Sequence, residues 1–348
     1  MAYSTIIKPT DYFNPVTYTG NGSAGHSITG VGFQPDWVWI KTRADSNNHT
    51  IFDAVRGVTK RLRSNQTNAE NTSSGVTSFN SDGFTVGSDS AGNSGTMVSW
   101  NWKANGQGSA NTDGSINTTY TSANTTSGFS ISTYTGNATT GATIGHGLGV
   151  APAVVLVKRL NATSDWVMYH KGMGAPPKFI VLNTTAAEAS SAGIFYNTAP
   201  TSSVFYVGDD GATNASGGTY VAYCFSQIQG YSKFGSYTGN GDSDGAFIYT
   251  GFSPAIIIAK KTSGGSDWII WDNKRDGYNE TLKRLYPNEA APEENSTTQG
   301  VDFLSNGFKL RGTNSNAWNA SGGAYIFMAF AESPFVANSG ESIPTTAR

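Results

Sequence analysis

The sequence predicts an all-β protein built as three tandem β-sandwich, jelly-roll-like repeats. Three observations carry that expectation: a composition poor in charge, many short strand-like runs, and an internal register that returns three times. Charged residues make up 13% of the 348 residues, against an ordinary ~25%. Glycine accounts for 42 residues and aromatic residues for 12%. So many rings argue for a packed interior, because each one buried removes a large apolar surface from water. Runs such as WVWIK at Trp37, AVVLVK at Ala153 and AIIIAK at Ala255 are β-branched or aromatic and bounded by proline and polar turns. DWIIW, KFIVL, GFTVG, SVFYVG and GFKL read the same way. The apolar period is near two, or continuous where both faces of a strand are to be buried. Helical patterning is poor; its best segment, Asn279 to Tyr286, predicts a turn or two.

The internal register is the strongest signal. Tyr-Thr-Gly-Asn begins at Tyr18, Tyr134 and Tyr237, and a proline follows each after 17 or 18 residues, at Pro35, Pro152 and Pro254. Six residues later come Lys41, Lys158 and Lys260, and twelve beyond those Asp53, His170 and Asp272. Asn65, Asn183 and Asn288 each precede a glutamate by five residues. Alternating stretches close each copy: MVSWNW at Met97, YVAYCF at Tyr220 and YIFMAF at Tyr325. The repeats accordingly span 12–103, 129–229 and 230–336. Residues 104–128, rich in Gly, Ser, Thr and Asn, read as a polar linker that tethers the first repeat loosely. Residues 1–11 form an N-terminal segment suited to docking, and 337–348 a C-terminal tail. Within the strand at Trp37, alternation places Trp37 and Trp39 on one face and Val38 and Ile40 on the other.

The repeat resembles a largely uncharacterised domain family of tailed-bacteriophage virion proteins, especially of the marine and cyanophage type. The motifs that carry the resemblance are YTGNG at Tyr18, GFQPDWVWIK at Gly32, FDAVRG at Phe52, LRSNQTNAE at Leu62 and SDGFTVG at Ser81, with GHGLGVAPAVVLVKR at Gly145 and GYSKFGSYTGNG at Gly230. The resemblance implies a virion part and supplies no catalytic residue. Repeat two departs from the pattern, since it lacks the Arg-Gly pair at Arg56 and has His170 for the aspartate.

Among the ionisable groups, Asp53 and Asp272 read as buried partners of Arg56 and Arg275, three residues on. Lys41, Lys158 and Lys260 end apolar strands, where an ammonium ordinarily reaches solvent. The four histidines have no metal-ligand spacing, so no metal site or cofactor is expected. The lone cysteine, Cys224, reads as a small buried apolar residue. Asn240, Asp242 and Asp244 resemble the front of a calcium loop, but the closing glutamate is missing, since Gly251 stands there. Trp318 is the candidate binding residue, as an exposed ring stacking on a sugar or else packed over the sandwich end.

With a net charge of −2, the chain has no electrostatic footprint for nucleic acid. Its longest apolar runs are too short to span a bilayer, and its N-terminus lacks the pattern of a secretory signal. The expectation is a non-enzymatic virion structural protein, assembled in the host cytoplasm. A peripheral fibre presenting receptor- or glycan-binding loops comes first, then capsid decoration or cement, then a carbohydrate-active depolymerase. Its partners would be other virion proteins and a host surface glycan or receptor. The threefold arrangement would come from homotrimers or from one chain alone.

Overall fold

A computed structural model describes residues 4–312 and 318–335. The tail expected at 337–348 lies outside the described residues. The fold is nearly all β, and every named strand pair is antiparallel. The first unit holds β1 (Phe13–Asn21), β2 (His26–Ile28), β3 (Trp37–Thr42), β4 (Thr50–Asp53), β5 (Gly57–Leu62), β6 (Asn71–Thr72), β7 (Ser78–Asn80), β8 (Gly83–Val86), the one-turn helix α1 (Ser90–Asn93) and β9 (Ser94–Trp102). The second holds β10 (Thr118–Asn124), β11 (Phe129–Thr135), β12 (Ala142–Gly145), β13 (Val154–Arg159), β14 (Trp166–His170), β15 (Lys178–Val181), β16 (Ala189–Ser190), β17 (Val204–Val207) and β18 (Thr219–Phe225). The third holds β19 (Ser232–Thr238), β20 (Asp244–Tyr249), β21 (Phe252–Lys261), β22 (Trp268–Asp272), β23 (Lys283–Arg284), β24 (Glu294–Asn295), β25 (Val301–Leu304), β26 (Gly307–Arg311) and β27 (Ala324–Pro334).

One pairing order recurs. The large sheets run β1-β9-β3-β4-β5-β6, then β11-β18-β13-β14-β15-β16, then β19-β27-β21-β22, which a bridge from Ile270 to Leu285 extends toward β23 and β24. Each large sheet covers a small one: β2-β8-β7, β12-β17 or β20-β26-β25. Lys41, Lys158 and Lys260 occupy the same register, opposite Val98, Val221 and Ile326. The small-sheet interface is only half of the packing. Val38 and Ile40 point into the first unit's own core, whereas Trp37 and Trp39 enter a second core shared by all three units. The closing strands follow the same alternation. Val98, Trp100 and Trp102 meet Val221, Tyr223 and Phe225 and also Ile326, Met328 and Phe330 in that shared core. Trp102, Phe225 and Phe330 form a triangle of rings with centroid separations of 6.5, 5.5 and 5.6 Å. The three large sheets thus face a common pseudo-threefold axis.

Backbone hydrogen bonds close the ring. Glu70 N donates to Leu160 O (2.9 Å), Glu188 N to Thr262 O (3.1 Å) and Glu293 N to Arg43 O (2.7 Å), so each unit bonds the next and the third returns to the first. The first unit is therefore not loosely tethered. The segment 104–128 is no slack linker either: Ala104 is buried, β10 adds a strand beside β11, and Ile116 enters the second core. Nor do residues 4–11 stand apart, for Ile6 is buried in the shared core. The helical turn expected from Asn279 to Tyr286 does not form. Asn279 pairs its amide with both the N–H and the C=O of Phe303, and Leu285 bridges Ile270, so strand contacts take the backbone instead.

The repeated Tyr-Thr-Gly-Asn string is a latch. The tyrosine hydroxyl donates to a carbonyl across the unit: Tyr18 to Gly92 (2.7 Å), Tyr134 to Thr213 (2.8 Å) and Tyr237 to Trp318 (3.0 Å). The N–H groups of Asn21, Asn137 and Asn240 donate to the side-chain oxygens of Asn93, Asn214 and Asn319 at 2.9, 2.9 and 3.0 Å. Glycine precedes each of these asparagines because a Cβ on Gly20 would lie 2.3 Å from the Asn93 backbone, and Gly136 and Gly239 face the same crowding.

Since one core joins the three units, the chain should unfold in urea as a single cooperative transition. Tryptophan fluorescence and far-UV circular dichroism should give coincident curves, and separated transitions would show that the units are independent.

Candidate functional site

The charged residues singled out by the register lie at the junctions between units. Arg56 Nε donates to Asp53 Oδ2 at 2.5 Å and its Nη1 to Glu70 at 2.9 Å. Tyr223, from the second unit, donates its hydroxyl to the same Asp53 oxygen at 2.7 Å. In the third unit Arg275 holds Asp272 at 2.6 Å and Glu293 at 3.1 Å, and Trp100 of the first unit donates its indole N–H to Asp272 at 3.0 Å. Burial would raise the Asp272 carboxyl, but the Arg275 guanidinium, the Trp100 indole and the Lys274 N–H outweigh it and hold the group below the usual carboxylate range. At the third junction His170 replaces the acid, Met173 stands where the arginine would be, and His170 Nε2 lies 3.1 Å from Phe327 O. Met328, which has no donor, occupies the position of Trp100 and Tyr223. Acid, arginine and neighbouring donor are thus absent together, and no buried charge is left unpaired there.

The strand-end lysines depart from expectation, for all three are buried. Lys158 Nζ donates to Thr67 O of the first unit (2.8 Å), Lys260 Nζ to Thr185 O of the second (3.3 Å), and Lys41 Nζ to Thr42 O (2.8 Å) and Asp45 O (2.9 Å). Burial pulls each ammonium down to about 8. Asn65, Asn183 and Asn288 accept the N–H of His49, Trp166 and Trp268 at 3.1, 2.8 and 2.8 Å, which fixes the turn that carries each following glutamate to its neighbour. Cys224 is buried, and its thiol is pushed up by burial.

The sequence-predicted binding residues are engaged within the fold. Trp318 is not an exposed stacking ring: it is 1% exposed, with its ring centroid 4.0 Å from that of Trp271. Asn240 caps the N–H of Asp242 (3.0 Å), Asp242 caps that of Asp244 (2.9 Å), and Asp244 pairs with Lys309 (2.7 Å) and Arg311 (2.6 Å). Among the described residues no group of three or more His, Cys, Asp or Glu is placed to hold a metal ion.

A cleft that the sequence did not reveal opens on the third unit. It measures about 550 Å³ and is lined by Ser243, Asn279, Glu280, Thr297, Asp302 and Arg311. Strands β25 and β26 supply the floor, where Arg311 Nε donates to Asp302 Oδ2 at 2.6 Å and Nη1 to Asp244 at 2.6 Å. The Asp302 carboxylate raises the Arg311 guanidinium, which therefore stays charged. The wall is the excursion 273–282 between β22 and β23, pinned to β25 by Asn279. No spacing rule could have found this cleft, because its residues come from four separate segments of the chain.

Residues 8–334 match the family model described as Domain of unknown function (DUF7483). The chain belongs to this family. No match was found among curated proteins or among solved structures. The DUF7483 match spans all three units and their shared core together. The description attaches no activity to the family.

Two outcomes follow for the junctions. Arg275→Met leaves the Asp272 carboxylate buried without its cation, while Arg43 still holds Glu293, and should cost about 3–5 kcal/mol in chemical denaturation. The double change Asp272→His with Arg275→Met reproduces the His170 and Met173 junction and should cost clearly less; equal losses would refute the charge-pairing account. The pH dependence has a definite sign. Burial lowers His170 to about 4 and puts His49 well below the ordinary 6.5. Between those values the unfolded chain binds protons that the folded chain does not, so stability falls as pH drops from 6.5 toward 4. His170→Gln should flatten this fall by up to ~3 kcal/mol, as read from urea midpoints at pH 7 and pH 4.5.

Proposed function

We propose that this chain is a non-enzymatic structural component of a bacteriophage virion, displaying binding loops from a rigid three-lobed block of jelly-roll-like copies. The single observation that carries the reading is the shared axial core, in which the closing strands of all three units bury their inner faces. A core of that kind makes a scaffold, and loops held on a rigid scaffold are where recognition usually resides. The repeated polar residues support the same reading, because latch, turn and junction account for them structurally. The virion assignment rests on the sequence motifs that resemble tailed-phage proteins.

The closed ring alters the form such a component would take. An extended fibre with a flexible first joint loses its basis, and a compact head at the end of an appendage suits the geometry better. Capsid decoration is the second reading, favoured by the pseudo-threefold arrangement, which matches a threefold position on a lattice. A homotrimer is not needed to build the threefold, since one chain closes it. A depolymerase would need a carboxylate pair about 5–9.5 Å apart, one of them serving as an acid. In the cleft the Asp302 carboxylate is instead held by Arg311.

Gold-labelled antibody against the chain, applied to purified particles, tests the proposal. Label at appendage tips is the expected result, and label spread over the head would favour decoration. Particles without label, or a glycan-cleaving activity of the purified chain abolished by Glu280→Gln, would overturn it.

A further inference from the structure

The cleft on the third unit is where this chain departs from its own plan. The crossing from the fourth to the fifth strand takes residues 54–56 in the first unit and 171–177 in the second, but 273–282 in the third. The first unit completes the same sheet with three residues and the second with seven, so the stretch of the third crossing beyond Arg275 is longer than its siblings need. Tyr278 lies on it and is 85% exposed, the highest value of any large hydrophobic side chain among the described residues. An aromatic ring held out in water on a loop does nothing for the core.

We infer that this cleft binds a neutral saccharide, with Tyr278, next in the chain to the lining residue Asn279, as the stacking ring and Glu280, Thr297, Ser243 and the Arg311–Asp302 pair as hydroxyl partners. The chemistry of the lining excludes the simpler ligands. A cation would meet the Arg311 guanidinium, which already sits against one oxygen of Asp302 and one of Asp244. An anion would meet the Glu280 carboxylate on the wall beside the partly neutralised Arg311. A polyhydroxyl ligand suits both halves of this lining: its hydroxyls donate to Glu280 and Asp302 and accept from Arg311, Ser243 and Thr297. Ion-paired planar groups such as Arg311 and Asp302 are held in fixed orientation, and fixed orientation is what distinguishes one hydroxyl arrangement from another. The C–H face of a sugar ring is apolar and pairs with an exposed aromatic ring, which Tyr278 supplies. The cleft is open and polar, as suits a chain segment of a glycan more than a small apolar molecule.

The inference deepens the display reading by naming one site and its ligand class. Its test is the fluorescently labelled full-length chain on an array of neutral oligosaccharides built from glucose, mannose or galactose, with uronic-acid and sialylated glycans alongside. Retention on a neutral class is expected, and it should fall about tenfold in both Tyr278→Ala and Glu280→Gln. Both residues are exposed, so unchanged unfolding midpoints will confirm that the variants are folded. Binding to no neutral glycan, preference for the acidic ones, or retention of either variant at the level of the unsubstituted chain would each overturn the inference. A chain found on particles that retains no neutral glycan would refute this site and leave the virion proposal standing. One that binds glycan but is missing from particles would do the reverse.

Discussion

Everything in this fold depends on burying both faces of three sheets at once. A strand such as WVWIK has no solvent face, so a two-layer sandwich would leave Trp37 and Trp39 in water. The small sheet of each unit covers one face, and the other can be covered only by the neighbouring units. Removing apolar area from water contributes roughly 25 cal/mol per Å², and the three wide sheet faces that meet on the axis form the largest core cluster in the molecule. The same constraint explains why the closing strands of the second and third units carry apolar residues at nearly every position, whereas that of the first places the buried Ser99 and Asn101 on the face away from the axis.

The polar groups follow from that choice. Wherever two units meet, strand ends bring backbone carbonyls and N–H groups out of water, and each must find a partner. Lys158, Lys260 and the cyclic bonds at Glu70, Glu188 and Glu293 provide such partners. The junctions need not be chemically alike, provided each is internally satisfied. Two use an aspartate held by an arginine and a donor from the next unit, and the third is built on neutral His170. A half-converted junction would bury an unpaired charge, which explains why acid, arginine and donor are lost together.

A scaffold closed in this way leaves its outer sheets and loops free to diverge. The second unit adds β10 on one edge, and the third adds the excursion that walls the cleft. Neither β10 nor the cleft wall at Asn279 and Glu280 supplies a residue to the shared core, where the three closing strands still meet.

The sequence by itself determined the β class and the register that Lys41, Lys158 and Lys260 share. Period-two patterning and fixed offsets are local properties that survive without a partner. It also determined that Asp53 and Asp272 would pair with arginines three residues away, because that pairing is local. Tertiary structure alone decided what the strand-end lysines face, whether 104–128 is slack or paired, and that Trp318 is buried. Each of these depends on which surface the rest of the chain presents at that point. The axis was illegible for the same reason: a strand apolar on both faces shows that two surfaces must be covered, and only packing decides what covers them. The cleft was least legible of all, since Ser243, Glu280, Thr297 and Arg311 become neighbours only when separate strands and loops are brought together.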